Sequence, residues 1–284
     1  MYQAACQICG VSLCIKARRP LPEKYPGTLF QKTGDKADML IQVEEVPEII
    51  PPDGVFCGTA GEERIWRMGR AIFRSTQDLF RRDAHIAVQY SIEDLSRVAC
   101  RIREADWAWA AGPKYFWPGI AVNSLLLPFR TLIFHAAYIG WQGRGILFTA
   151  PSGVGKSTQA ELWRRCRGAE VLNGDKAGVR LEERPMVYGV PFSGTSGICR
   201  NVSLPLRGIV VLSQAAENTI RRLLPSEAVA ALCQNVFVDS AVQEEWQMAV
   251  QLLLDLVSAV PVYALACTPD ERAVAALEAA MAQE

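Results

Sequence analysis

The sequence predicts an α/β protein: a phosphate-binding (P-loop) core with a mixed sheet and flanking helices, preceded by a mostly antiparallel β region. The first observation is the string Ala-Pro-Ser-Gly-Val-Gly-Lys-Ser at residues 150–157, which lies between an apolar run and a helical pattern. The second is that short β-prone runs fill the chain before residue 119, whereas strand and helix patterns alternate after it. We therefore predict a β-rich accessory or substrate region over residues 1–118 and a P-loop domain over residues 119–284.

The β-prone runs of the first region are separated by turn residues. Gly, Pro and charged residues break them, as at residues 51–54 and 59–61. Many short strands with such breaks predict an antiparallel sheet. The Gly-Pro and Pro-Gly pairs at residues 112–113 and 118–119 indicate the junction with the second region. The predicted strands cover residues 2–17, 39–46, 65–74, 85–91, 98–103 and 106–110.

The second region has clear turn and helix-end signals. Gln142-Gly143 is typical of a hairpin turn, and Gly168 is typical of the residue that ends a helix. At the last helix, Thr268 and Glu271 form a predicted capping box, with Pro269 at the first helical position. Helices are predicted over residues 120–129, 157–167, 226–237, 240–257 and from 269 onward, and strands over residues 132–139, 145–149, 170–172, 177–181, 187–190, 208–212 and 261–267.

Residues 150–157 have the composition that phosphate binding requires. Glycines let the backbone turn tightly, so that consecutive N–H groups point at phosphate oxygens. Lys156 supplies a positive charge for the β- and γ-phosphates, and Ser157 supplies a hydroxyl for Mg²⁺. The alternative, a chance glycine-rich turn, is disfavoured by the strand pattern before the loop and the helix pattern after it. The residues predicted to bind the nucleotide are Ser152, Gly153, Val154, Gly155, Lys156, Ser157 and Thr158.

Asp175 is the candidate for the chemistry at the γ-phosphate. It follows the predicted strand at residues 170–172, which we expect to neighbour the loop strand. A carboxylate there can hold Mg²⁺ or accept the proton of an acceptor hydroxyl. The alternative is a plain turn residue, since Asn173-Gly174-Asp175 is a strong turn signal by itself. Because Asp175 follows the loop so closely in the chain, the active-site role is favoured.

His135 lies in an otherwise apolar predicted strand, residues 132–139. A core histidine with satisfied hydrogen bonds is the ordinary explanation of such a residue. A hairpin turn would pair this strand with the loop strand, however, and bring the imidazole near the phosphates, where it could orient an aspartate or contact the γ-phosphate.

A second glycine-rich segment, residues 191–197, follows the predicted hairpin. It is either an acceptor-binding or closing loop, with Arg200 or Arg207 beside it to neutralise developing charge, or a simple surface connection.

The composition argues against several function classes. Lys plus Arg and Asp plus Glu both number 30 among the 284 residues, so no strong charge favours nucleic acid or a membrane surface. No run approaches the roughly 20 apolar residues of a membrane span, and the first residues do not form a signal peptide, so we expect a cytoplasmic protein. The nine cysteines predict reduced thiols, and their one cluster, Cys6, Cys9 and Cys14, lacks the further ligands of a metal site.

Residues 130–280 resemble HPr kinase/phosphorylase and, more distantly, ATP-dependent phosphoenolpyruvate carboxykinase. They look most like the shorter HPr-kinase-like proteins. His135 lies on the strand before the loop strand, as the histidine of that family does, and residues 152–157 match its loop pattern. The resemblance implies the fold of the HPr kinase C-terminal domain and an active-site place for His135. Where that family has an acidic pair after the loop helix, this chain has Gly174-Asp175, which leaves Asp175 as base, as metal ligand or as both.

These residues predict an ATP- and Mg²⁺-dependent kinase that transfers the γ-phosphate to a serine-like hydroxyl on a peptide, a small protein or a metabolite. Asp175, His135 and Lys156 are the predicted catalytic residues, and Ser157 and Asp175 are the predicted Mg²⁺ ligands. The alternatives are a nucleotide-regulated binding protein, which the missing acid at Gly174 favours, and an NTPase that acts on a partner. We expect no nucleic-acid or membrane partner, and the resemblance makes a homo-oligomer possible.

Overall fold

A computed structural model describes residues 1–21, 37–77, 83–192, 194 and 196–283. The predicted mixed α/β class is confirmed: two eight-stranded sheets are accompanied by several helices. The chain divides into two compact units, Met1–Phe129 with Val238–Trp246, and Arg130–Phe237 with Gln247–Glu284. The domain boundary at residues 118 and 119 stays a prediction, since packing alone does not test whether either segment folds independently.

The sheet of the first unit is mixed. Its strands lie in the order β1-β2-β3-β8-β7-β6-β5-β4. The pairs β2–β3 and β3–β8 are parallel, and the other neighbouring pairs are antiparallel. The strands are β1 (Tyr2–Ile8), β2 (Val11–Ala17), β3 (Met39–Val46), β4 (Val55–Ala60), β5 (Glu63–Met68), β6 (Ala71–Gln77), β7 (Ala84–Ser91) and β8 (Asp94–Arg103).

One predicted strand in this unit was wrong. The predicted strand at residues 106–110 is instead helix α1 (Trp107–Ala110), because Trp107 and Ala110 are buried at helical spacing. The supposed junction holds helix α2 (Pro113–Gly119), with Pro at its first position, where the missing N–H costs nothing. Helix α3 (Val122–Leu126) and a 3₁₀ turn follow it.

The second unit holds the glycine-rich loop. Its sheet has the order β10-β9-β12-β13-β14-β16-β15, with β11 paired to β9 and β10 paired also to β14. The elements are β9 (Thr131–Trp141), β10 (Arg144–Thr149), α4 (Lys156–Arg167), β11 (Glu170–Asn173), β12 (Lys176–Leu181), β13 (Pro185–Gly189), β14 (Ser203–Gln214), β15 (Thr219–Arg222), α5 (Pro225–Cys233), β16 (Val262–Cys267) and α7 (Glu271–Met281). Helix α6 (Gln243–Ala259) begins in the first unit and continues in the second from Gln247.

Two of the three turn and helix-end predictions in this unit are confirmed. Gln142 and Gly143 both have positive φ, 50° and 72°, in the predicted two-residue turn between β9 and β10. Gly168 ends α4 in the left-handed conformation, φ 66°. The capping box at Thr268 was wrong, because the cap of α7 is Asp270, whose side chain accepts a hydrogen bond from the Arg272 N–H. Asp270 begins the helix two residues later than predicted.

The core of the second unit lies between its sheet and the pair α4 and α7. Trp163 of α4 is fully buried, and its ring lies 5.0 Å from that of Trp141 at the end of β9. Val274 and Leu277 of α7 belong to the same buried cluster as Phe148 of β10. Burying large apolar side chains stabilises each by about 1.5–3 kcal/mol, so α4 is anchored to the sheet through Trp163.

The first unit contains a buried charged network around Arg74. The Arg74 guanidinium donates to Glu245 at 2.6 Å, to Tyr90 at 2.9 Å and to Glu63 at 2.9 Å. The carboxylate of Glu245 is fully buried and also accepts from the Tyr90 and Ser124 hydroxyls. Because Glu245 lies far along the chain, this network fixes the segment Val238–Trp246 to the unit.

Among the described residues, no helix is long and apolar enough to cross a membrane. The nine cysteines are all free. Burial raises the pKa of the Cys6 thiol to about 12, with the charge of Cys14 adding to the effect, and the described residues contain no cluster that could hold a metal ion.

We expect Arg74→Met to lower the free energy of unfolding by about 3–5 kcal/mol, because it leaves the buried Glu245 carboxylate without its cation. Urea denaturation measures this. The control is Arg70→Met, which removes an exposed pair with Glu93 and should cost less than about 1 kcal/mol. Equal losses in the two variants would contradict the importance of the buried network.

Candidate functional site

The glycine-rich loop, residues 150–157, connects β10 to α4. β10 is parallel to β14, with Thr149 opposite Val211, and β14 is parallel to β16. The carboxyl ends of all three strands therefore meet at one edge of the sheet. In open α/β sheets this edge, together with the start of the following helix, is where ligands bind.

Two glycines give the loop its course. Gly153 has φ 81° and Gly155 has φ 125°. A Cβ at either position would meet no atom within 4 Å, so the backbone conformation, rather than crowding, requires glycine. Gly155 is the residue that caps the N-terminus of α4, and the unpaired N–H groups there favour an anion.

Lys156, the first residue of α4, is folded back over the loop. It is buried, and its Nζ donates to the carbonyl oxygens of Ala150 at 3.0 Å and Pro151 at 3.4 Å. Burial lowers the pKa of Lys156, while the nearby charge of Asp175 opposes this shift. Ser152, Gly153, Ser157 and Thr158 are exposed, and Val154 and Gly155 are half-buried.

A cleft of about 450 Å³ lies beside the loop. Gln214, at the end of β14, donates to the carbonyl oxygen of Val154 at 3.3 Å and so connects the loop to the neighbouring strand. The volume falls in the range of small-molecule sites. The lining residues include Gly155, Thr158, Leu212, Gln214, Cys267 and Pro269.

His135 and Asp175 lie together. His135 is on β9, and its Nε2 lies 3.2 Å from Oδ1 of Asp175. The backbone fixes this pair, because the Ala136 N–H donates to the Asp175 carbonyl oxygen at 2.9 Å. The Thr149 hydroxyl donates to the His135 carbonyl oxygen at 2.9 Å, which ties the pair to the loop strand.

Charge keeps Asp175 ionised. The hydrogen bond from His135 lowers the pKa of Asp175, as do the charges of His135, Lys176 and Lys156, while burial opposes them. One expectation about this residue was wrong: the strand before it, β11, pairs with β9 and not with the loop strand β10. β9 therefore lies between Asp175 and the loop, and His135 lies on β9.

Sequence reasoning missed Asn173 as an organiser of the site. Its side chain is fully buried, and its oxygen accepts from the N–H groups of Asp175 and Lys176, each at 3.0 Å. Its amide donates to the carbonyl oxygens of Val190 at 3.3 Å and Phe192 at 3.2 Å. The turn signal in Asn-Gly-Asp was the available hint, because asparagine side chains often bond to the backbone two residues on.

Lys176 was also missed. It is directly opposite His135 in the pairing of β12 with β9. Its Nζ lies 5.4 Å from the ring centre of Phe192 and 5.2 Å from that of Phe237. Burial lowers the pKa of Lys176, and the charge of Asp175 opposes the shift.

Gly194 of the second glycine-rich segment lies beside Asp175. A Cβ on Gly194 would come within 2.6 Å of the Asp175 side chain, so glycine allows the close approach. Ser193 and Thr195 lie outside the described residues. The two arginines suggested for this place are engaged elsewhere: Arg200 pairs with Glu170, and Arg207 donates to the Met281 carbonyl oxygen.

The chain has distant likenesses among solved structures. The Hpr(Ser) kinase/phosphatase from Coxiella burnetii matches 53% of this chain and 88% of its own, at 12% identity and a TM-score of 0.29. A TM-score this low does not establish a common fold. Comparison with curated proteins found no match.

The family comparison is more extensive. The model of the family described as "SynChlorMet cassette protein ScmC" matches residues 121–281. This range covers the glycine-rich loop, His135, Asp175 and Lys176, and it exceeds half of the 284 residues. The chain therefore belongs to the ScmC family of SynChlorMet cassette proteins.

Proposed function

We propose that this protein is an ATP- and Mg²⁺-dependent kinase that transfers the γ-phosphate to a serine-like hydroxyl on a peptide, a small protein or a metabolite. One observation carries the proposal: strand β9 connects two parts of the site. It pairs with β10, which leads into the loop with Lys156, and it carries His135, which contacts Asp175. Phosphoryl transfer needs both parts, a cradle for the phosphates and a group that orients or deprotonates the acceptor.

The loop is suited to a triphosphate. Its positive-φ glycines and the start of α4 offer backbone N–H groups, and anions bind readily at such positions. Lys156 Nζ already rests on two loop carbonyl oxygens, from which it can turn to the β- and γ-phosphates. The adjoining cleft has room for the nucleoside.

The donor set fits Mg²⁺. The Ser157 hydroxyl and the Asp175 carboxylate are hard oxygen ligands, and Mg²⁺ in kinases takes only one or two such groups besides phosphate oxygens and water. When bound, the ion would neutralise charge on the β- and γ-phosphates. Ser157 is exposed at the start of α4 and therefore accessible to it.

Asp175 would accept the proton of the acceptor hydroxyl. Its lowered pKa keeps it ionised, which a base requires, and His135 holds the carboxylate through one oxygen. The other oxygen is left to contact the acceptor hydroxyl, Mg²⁺ or both. His135 is in this account a positioning residue for Asp175. Gly194, close to the Asp175 side chain, would flank the acceptor.

A nucleotide-regulated binding protein is the second candidate. Gly174 favours it, because the resembled kinases carry a second acid where this chain has none. In that case ATP would bind and order residues 191–197, and no phosphate would leave. An NTPase acting on a partner would instead release ADP without any acceptor.

We expect Lys156→Met to weaken ATP binding at least about tenfold, since a hydrogen bond to a charged group contributes roughly 1.5–3 kcal/mol. Isothermal titration measures the affinity. The control is Lys114→Met, an exposed lysine of the first unit that stacks on Tyr115. Unchanged affinity in Lys156→Met would remove the loop from the nucleotide site.

We expect Asp175→Asn to slow phosphoryl transfer by about 10²–10⁴-fold, the usual contribution of a general base. Its affinity for ATP without Mg²⁺ should stay close to that of the wild type. Transfer of label from γ-³²P-ATP to serine peptides and small alcohols measures the rate, with Asp94→Asn as an exposed control.

Full transfer by Asp175→Asn would contradict the kinase proposal. Acceptor-independent ADP release by the wild type would favour the NTPase, and ATP binding without turnover would favour the binding protein.

A further inference from the structure

The Lys176 ammonium is held by aromatic rings where an oxygen partner would be expected. The side chain is half-buried, and the rings of Phe192 and Phe237 lie within 5.4 Å and 5.2 Å of Nζ. In the part of the chain that the structure describes, no oxygen accepts a hydrogen bond from Nζ. Asp175 acts on it through charge alone.

A half-buried cation is costly without a partner. Aromatic faces contribute about 0.5–2 kcal/mol each to holding a cation, but they leave its three N–H donors unsatisfied. Removing a charge from water costs more than this unless oxygen atoms complete the site. An ammonium that lies near two rings, and that donates to no oxygen among the described residues, is therefore suited to a ligand oxyanion.

The position of Lys176 indicates which ligand would supply the oxyanion. Two ammonium groups act on the charge of the Asp175 carboxylate: Lys156, at the start of α4, and Lys176, on β12. The triphosphate would bind next to Lys156. Lys176 lies beside Phe192, and Gly194 lies so close to Asp175 that a Cβ there would come within 2.6 Å of the carboxylate. The acceptor would bind here, next to Lys176.

We propose that the acceptor carries an anionic group, a carboxylate or a phosphate, close to the hydroxyl that receives the phosphoryl group, and that Lys176 between Phe192 and Phe237 binds this anion. The inference rests on the proposed kinase function. In the transfer step the acceptor O–H gives its proton to Asp175, its oxygen forms the new P–O bond, and the bond from the γ-phosphorus to ADP breaks.

Lysine acetylation tests the binding part without turnover. The full chain, saturated with Mg²⁺ and a non-hydrolysable ATP analogue, is treated with an acetylating reagent, and each lysine is followed by peptide mass spectrometry. We expect the nucleotide to protect Lys156 and leave Lys176 reactive. D-Glycerate or glycerol 3-phosphate, at about ten times its dissociation constant, should then slow acetylation of Lys176 about tenfold, because labelling follows the free fraction.

The probes distinguish the two anion sources. Protection by glycerate alone identifies a carboxylate, protection by glycerol 3-phosphate alone identifies a phosphate, and uncharged glycerol should protect neither. Lys16, a lysine of β2, serves as the internal control and should be unaffected. If the nucleotide protects Lys176 when no anion is added, the inference is overturned, because Lys176 would then bind the triphosphate. If neither anion protects Lys176 at millimolar concentration, the inference is also overturned.

Transfer assays test the functional part. We expect charged acceptors to be phosphorylated with at least tenfold higher kcat/KM than glycerol, a difference of about 1.4 kcal/mol. Lys176→Met should lose this preference, and Lys176→Arg should keep part of it, while both bind ATP as the wild type does. A preference that survives in Lys176→Met would contradict the inference. If the anions protect Lys176 but no acceptor is phosphorylated, the anion site stands and the kinase proposal fails.

Discussion

The site depends on the pairing of one strand, β9, with its neighbours on both sides. Through its second half β9 pairs with the loop strand, and through His135 it lies opposite Lys176 on β12. A slip of one residue in the pairing with β12 would separate His135 from Asp175, and a slip in the pairing with β10 would shift His135 relative to the loop. The backbone bond from Ala136 to Asp175 and the hydroxyl bond from Thr149 to His135 hold both registers. The site is thus fixed by hydrogen bonds of the sheet more than by any single side chain.

The charged side chains of the site are also held in fixed places. Asp175 lies among three groups that favour its ionised form, His135, Lys156 and Lys176, and each has a different attachment. Lys156 rests on loop carbonyl oxygens that a phosphate can replace, whereas Lys176 rests on rings. In the proposed kinase, charged groups held in place before the substrates bind would need little rearrangement during reaction, which is the main source of electrostatic catalysis. In the alternative proposal, a nucleotide-regulated binding protein, the same groups would hold the nucleotide without turnover.

Local signals allowed the sequence to predict the parts of this site that lie close together in the chain. The turn at Gln142-Gly143, the end of α4 at Gly168 and the pairing of the His135 strand with the loop strand followed from residue type and spacing. Contacts between distant segments could not be predicted in this way. Phe237 contacts Lys176, and Glu245 contacts Arg74, from far along the chain, and the hydrophobic periodicity of the sequence does not predict such contacts. The parallel pairing of β3 with β8 was not predicted for the same reason. The cap of α7 was misplaced because Thr268 and Asp270 both suit that role, and only the backbone geometry selects Asp270.

The most direct test of the account is a crystal structure of the chain with Mg²⁺ and a non-hydrolysable ATP analogue. The account predicts the triphosphate on the backbone N–H groups of residues 153–157, with Lys156 Nζ moved from the Ala150 and Pro151 carbonyl oxygens to phosphate oxygens. The nucleoside should lie in the cleft lined by Thr158 and Gln214. A complex in which Lys156 stays on those carbonyl oxygens and the nucleotide binds elsewhere would contradict the central claim.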